Sequence, residues 1–176
     1  MKSPQDKGQP LATESRTIEW VDVDSKVHSY DFDHYLEHVA RARYVIRKVQ
    51  RIIDDCAKRQ GLEPLEHQAL IQIHGAAERR LPVGQLAERL DIVPTFTSRL
   101  VQQLEGLGLV TRARSETDRR GTVVSTTEEG ARRLYVIVAD VHEAMATFRS
   151  SLTLEEQRAA HEIMAFYVGS APRKET

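Results

Sequence analysis

Apolar positions along this chain change their spacing several times, and each change marks an element. From Asp31 onward, Phe32, Leu36, Val39, Ile46, Val49, Ile53 and Cys56 recur every three or four residues with one gap. That is the rhythm of an amphipathic helix, and Gly61 ends it. Its apolar residues spread beyond one narrow stripe, which predicts helix–helix packing within or between chains. A second helix is expected from Leu65 to Ala77. The stretch LPVGQLAERLDIVPTFTSRLVQQLEGLGLV then divides into a short helix, Val83 to Leu90, a turn at Asp91 and Ile92, and a longer helix, Pro94 to Leu107. Proline suits the first helical position, because the amide it lacks would have no partner there. Leu86, Ala87 and Leu90 face inward from the first of these helices, and Leu100, Val101 and Leu104 from the second. Phe96 fits either an inward position or an outward one.

Beyond Gly106 and Gly108 the spacing changes again. Leu109 to Arg112 and Thr122 to Thr126 are rich in Val and Thr, and read as two strands joined by a long charged tip. A helix follows from Glu128 toward Phe148, with Thr126 and Glu129 as its capping box. A last helix runs from Leu154 to Val168, capped by Thr153 and Glu156 and ended by Gly169. The first 16 residues form a polar tail interrupted by Pro4 and Pro10. Residues 17 to 30 fit either a short helix or an ordered arm. The expected division is a tail and arm over 1–30, an N-terminal helix over 31–61, a central region over 62–130, C-terminal helices over 131–169 and a polar tail over 170–176. The fold class is mainly α with a small β wing.

Composition narrows the class only slightly. The chain has 176 residues, 40% hydrophobic and 29% charged, which suits a folded domain with helical extensions. A net charge of -1 and a pI near 6.7 give no global attraction to nucleic acid. The opening residues MKSPQDKGQPLATES have no apolar centre and do not resemble a signal peptide. No apolar run is long enough to span a bilayer. With one cysteine, Cys56, no intrachain disulfide can form. These features fit a cytoplasmic setting.

The order short helix, turn, longer helix, ribbon is that of a winged helix-turn-helix. A helix fits the DNA major groove, and its first-turn residues and free amides can meet bases and phosphates. The longer helix offers Thr95, Thr97 and Ser98 as short donors and acceptors, and Arg99 as a longer probe. The ribbon tip TRARSETDRRG crowds Arg112, Arg114, Arg119 and Arg120 together. Arginine suits phosphate and the negative potential of a narrow minor groove. Asp118 has the wrong charge for DNA and suits a structural role within the tip. A generic helix pair or a solvated loop would explain either part alone; their adjacency in this order favours double-stranded DNA as partner.

The blocks VGQLAERL, TFTSRLVQQLEGLGLVTR and DRRGTVVSTTEEG resemble those of the multiple-antibiotic-resistance regulator (MarR) family in order and spacing. The resemblance runs from Asp31 to Val168 and is strongest from Leu81 to Gly130. It implies a homodimeric regulator whose terminal helices make the dimer, and whose DNA affinity falls when a small, often aromatic or phenolic, ligand binds. It places Thr97, Ser98 and Arg99 in the recognition helix. Asp118 and Arg120 match the family's Asp-x-Arg pair, with Arg120 directed to the minor groove and Arg119 to the backbone. Thr126 stands where the family has leucine, an expectation of a looser join between wing and helix. The segment before Asp31 is longer than the family's usual start.

Other sites are thinly marked. Arg43, Tyr44 and Arg47 on the first helix, with His67 and His74 near the second, are candidates for an acidic or phosphate-bearing effector, although each residue type more often has a plain surface or packing role. His28, His34 and His38 lack the compact ligand set of a metal site, so no metal or other cofactor is expected. Cys56 lies on the apolar stripe and reads as a buried, inert thiol. No phosphate-binding glycine loop, G-x-S-x-G or H-E-x-x-H occurs, so no enzymatic activity is expected. A dimeric interaction module without DNA binding, and an enzyme with an unmarked site, remain the alternatives.

Overall fold

In a computed structural model of the chain, the described residues are 17–21, 27–115 and 121–168. Twelve segments follow in order, and they divide between two compact units, residues 48–151 and residues 1–47 with 152–176. Helix α1, Phe32–Arg59, contributes to both.

The larger unit holds the end of α1, α2 (Pro64–His74), a 3-10 turn at Ala77–Arg79, β3 (Arg80–Pro82), α3 (Val83–Leu90), α4 (Pro94–Gly106), β4 (Val110–Arg114), β5 (Thr122–Thr126) and α5 (Glu128–Ser151). Its core joins Cys56, Leu62, Leu70, Ile73, Leu86, Leu104, Leu109, Val124 and Ile137 with their neighbours. Gly61 and Gly108 adopt φ near +73° and +72° where α1 and α4 end. Without a β-carbon, each takes the left-handed turn at little cost. In both, the next residue's amide closes back on the helix, Leu62 to the Ala57 carbonyl and Leu109 to that of Leu104.

The wing has three strands in the order β3-β5-β4, all antiparallel to their neighbours. Its third strand, Arg80–Pro82, is too short and too proline-bound to show a strand rhythm in the sequence. Leu81 anchors it, buried opposite Val124. The wing joins α5 through Thr127. The Thr127 hydroxyl donates to the Gly108 carbonyl and accepts the Gly130 amide, while the Thr127 amide donates to Leu109. The cap is therefore Thr127, one residue later than the expected Thr126. Thr126 belongs to β5, paired with Val110, and its buried hydroxyl has no hydrogen-bond partner among the described residues. The three bonds at Thr127 hold the join that the leucine-to-threonine departure was expected to loosen.

The smaller unit holds β1 (Thr17–Val21), β2 (Val27–Asp31), the start of α1, and α6 (Leu154–Val168). Residues 17–21 and 27–31 thus pair as antiparallel strands, an ordered arm rather than the short helix the sequence also allowed. The Asp31 carboxylate accepts the amides of Asp33 and His34, so the last residue of β2 caps α1. Ala42, Val45, Ala159 and Ile163 are buried, and Arg41 bridges Glu37 and Glu155. The Thr153–Glu156 capping box is formed, each residue's side chain accepting the other's amide.

Candidate nucleic-acid interface

The turn between α3 and α4 is closed by Asp91, whose φ of 52° and ψ of 46° are left-handed. The Ile92 amide reaches back to the Ala87 carbonyl, and Pro94 opens α4 immediately after. α4 then buries Thr97, Leu100, Val101 and Leu104, the three- and four-residue spacing of a single face. The opposite face carries Thr95, Phe96, Ser98, Arg99, Gln102 and Gln103, all exposed. Phe96 is 46% exposed, which settles its direction as outward.

Thr97 corrects the sequence reading. It is fully buried, and its hydroxyl donates to the Val93 carbonyl at 3.1 Å. A side chain locked into the core has no reach to a base edge, so Thr97 leaves the candidate set. Ser98 is exposed, with its hydroxyl on the Pro94 carbonyl. Gln102 was missed. It stands one turn beyond Ser98 and Arg99, at the four- and three-residue spacings that keep side chains on one face. That spacing could have identified it.

The wing base lies beside this helix. A cleft of about 260 Å³ is lined by Val83 and Gly84 at the start of α3, Ser98 and Val101 of α4, and Arg112, Gly121 and Thr122 of the wing. Arg112 is already held. Its Nε donates to the Glu105 carboxylate at 2.7 Å, and this bond, with the guanidinium charge, keeps the Glu105 carboxyl below its usual range. Arg114 is exposed two residues further along β4, on the same face of the strand. The Ser115 amide donates to the Gly121 carbonyl and closes the base of the tip. Asp118, Arg119 and Arg120 lie outside the described residues.

The first turn of α5 is tied down beside the wing. Glu129 accepts from Arg132 at 2.7 and 2.6 Å and from Arg133 at 2.9 Å, which holds its carboxyl at about 2. Arg133 also donates to the Gln60 carbonyl, linking α5 to the loop after α1.

The effector candidates fall into two sets. Arg43, Tyr44 and Arg47 are exposed on α1 in the smaller unit. His67 and His74 lie on α2 in the larger one. His67 is 2% exposed, neither ring nitrogen has a partner among the described residues, and burial pushes its pKa down, opposed by the Asp54 charge. A neutral imidazole inside the core offers no charge to an anion in solvent, which corrects its assignment as an effector contact. His74 is half-buried, with Nδ1 inaccessible. Cys56 is buried as expected, its sulfur accepting from Arg59 at 3.1 Å. Among the described residues no helix is long and apolar enough to cross a membrane.

A family model described as "MarR family" matches residues 60–121, from the end of α1 to the wing. The crystal structure of the YusO protein from Bacillus subtilis superposes with a TM-score of 0.59, at 25% identity, over 81% of this chain and 100% of that one. Over these spans the chain is similar to MarR-family winged helix-turn-helix regulators. A second MarR-family structure, Sco3205 of Streptomyces coelicolor in complex with DNA, matches with a TM-score of 0.57 and 25% identity over 76% of this chain and 80% of its own. In sequence, the HTH-type transcriptional repressor MdtR of Bacillus subtilis (strain 168) is 29% identical over 123 residues, 69% of this chain and 77% of that protein. The likeness in sequence and fold supports a DNA-binding transcriptional regulator. MarR-family regulators are not enzymes, and they generally bind DNA as dimers that respond to small molecules.

Proposed function

We propose that this protein is a homodimeric, ligand-responsive repressor that reads a palindromic operator in the cytoplasm. The exposed polar face of α4 beside the wing carries the reading. α4 enters the major groove, with Thr95, Ser98, Arg99 and Gln102 toward bases and phosphates. Arg112 and Arg114 meet the backbone at the wing base. From the family pattern, Arg120 enters the minor groove, Arg119 takes a phosphate and Asp118 holds the tip in shape. α1, α5 and α6 supply the dimer surface, and two heads related by a twofold axis read half-sites about one helical turn apart. The name of the Bacillus relative as a repressor supports the sign of regulation. A small aromatic or acidic molecule, or its coenzyme A thioester, releases the protein from DNA. Arg43, Tyr44 and Arg47 form its charged and aromatic contacts, with His74 a further candidate.

Selecting DNA from a random pool and measuring affinity for the recovered palindrome across salt concentrations tests the proposal. The expected result is a steep fall in affinity with salt, and a weaker complex when an effector is titrated in. Failure to enrich any sequence would point instead to a dimeric interaction module. An affinity unmoved by aromatic acids and their thioesters would remove the effector class.

A further inference from the structure

We propose that Phe96 makes the protein selective for thymine at one position of each half-site, by covering the 5-methyl group of that base in the major groove. The inference rests on the DNA-reading role of α4 proposed above, and adds to it a contact that hydrogen bonding does not supply.

α4 turns its large apolar side chains to the core with one exception. Leu100, Val101 and Leu104 are buried, whereas Phe96 is 46% exposed. A single exposed apolar residue is ordinary on a protein surface. This one, however, is the third residue of α4, on the turn of a recognition helix that meets base edges. Val93, the N-cap residue of the same helix, is 63% exposed. The leading end of α4 is therefore apolar as well as polar.

The helix fixes which flank Phe96 occupies. At about 100° per residue, Phe96 lies roughly 60° from Arg99 and roughly 160° from Ser98 around the axis. Ser98 lines the cleft toward the wing with Arg112. Phe96 stands on the other side of the exposed Arg99, away from the wing. Thr95, Ser98, Arg99 and Gln102 can each hydrogen-bond a base edge or a phosphate, and a phenyl ring cannot. The apolar group displayed in the major groove is the thymine C5-methyl, and phenylalanine is among the side chains that match it. When ring and methyl meet, both apolar surfaces leave water together. Cytosine, which carries hydrogen at C5, forfeits the contact, as does either purine. Helical residues three apart have β-carbons about 5–6 Å from each other, and base pairs follow at about 3.4 Å. The thymine thus lies one or two base pairs from the position facing Arg99.

Uracil is thymine without the methyl group, so deoxyuridine removes the proposed contact and leaves every hydrogen-bonding group of the base in place. The full chain and its Phe96→Ala variant are titrated, by fluorescence anisotropy, against the selected operator and against operators in which each symmetry-related pair of thymines is replaced in turn. For the parent, one pair is expected to matter, at about three- to fourfold in affinity for each methyl lost, the scale of one buried methyl group. Phe96→Ala is expected to bind the thymine and uracil operators equally. A variant that is only misshapen would bind both more weakly yet keep the parent's preference for thymine, and that result overturns the proposal. A parent indifferent to every replacement, or a selected half-site without thymine, overturns it as well. Phe96→Ala should also keep the parent's slope of affinity against salt, because an apolar contact releases no phosphate counterion; a shallower slope would place the effect on phosphate contacts instead. Selection that enriches no sequence refutes the DNA reading and this inference with it, whereas an operator bound regardless of its methyl groups refutes only the inference.

Discussion

Gly130 sits where α5 leaves the wing, and replacing it by alanine separates two opposing effects. In an open helical position the change is favourable, by up to about 1 kcal/mol. At Gly130 a β-carbon would stand 2.2 Å from the Leu109 carbonyl oxygen and 2.9 Å from Thr126 Cγ2. The oxygen cannot yield freely, because it accepts the Thr127 amide at 3.0 Å. Overpacking of this kind costs about 1–3 kcal/mol, and a disturbed hydrogen bond adds about 0.5–1.5. Net of the helix gain, Gly130→Ala should destabilise by about 1–3 kcal/mol, or a melting temperature lower by roughly 2–12 °C for a chain of this size. Gly84→Ala provides the control: nothing lies within 4 Å of its added β-carbon, and it should stabilise by a few tenths of a kcal/mol to about 1. Urea denaturation at one fixed protein concentration, followed by circular dichroism, reads both. A Gly130→Ala protein as stable as the parent would refute the close approach of α5 to the strand that precedes it.

The remaining expectations concern α4, the wing base and the cap of α5. Arg99→Ala should weaken operator binding at least about tenfold, the scale of one lost base or phosphate contact, and a gel-shift titration with unchanged affinity would remove Arg99 from the interface. Thr97→Val should leave operator affinity unaltered and cost about 1 kcal/mol of stability through the lost bond to Val93; a large loss of affinity with stability intact would restore Thr97 to the DNA face. Glu129, with its folded pKa depressed to about 2, contributes stability above the ordinary carboxylate range that is lost as pH falls from about 4.5 toward 2. Denaturation midpoints of Glu129→Gln should therefore fall less steeply over that window than those of the parent, and parallel curves would show the arginine pair to be inconsequential.

Local chemistry decided which parts could be read from the chain. The Val83–Leu90 helix and the Leu154–Val168 helix coincide with their sequence boundaries because each has a clear stop or cap: Asp91 in a left-handed turn, and the Thr153–Glu156 box. The strand pair at 17–21 and 27–31 was obscured because its Val, Trp and Ile positions fit either period over so short a run. The shift of the α5 cap from Thr126 to Thr127 depends on the Gly108 carbonyl, nineteen residues earlier, which no local pattern reveals. In the candidate interface the same limit applies. Ser98 and Arg99 are exposed as their sequence positions suggested, whereas Thr97, between Phe96 and Ser98, differs only in facing the core. Ile137 of α5 and Ile163 of α6 are buried within their own chain. The exposed positions are instead Tyr135, Val138, Leu154 and Met164. Hydrophobicity alone does not distinguish a residue buried by its own chain from one awaiting another.

The Glu105–Arg112 pair also bears on how such a protein searches a genome. A guanidinium already paired with a carboxylate attracts a DNA phosphate less strongly, because it must exchange one anion for the other or share its donors between them. That exchange lowers affinity for every DNA sequence by a similar factor, because the phosphate backbone is the same everywhere. Preference for the operator is left intact, while the dwell time on each wrong site becomes shorter. With Arg112 on the phosphate backbone as proposed, Glu105 would act as a resident competitor that keeps the wing base from lingering on bulk chromosome. Glu105→Gln should slow dissociation from random DNA and from the operator by the same factor, about two- to fivefold for an exposed ion pair, lengthening the search without altering its destination.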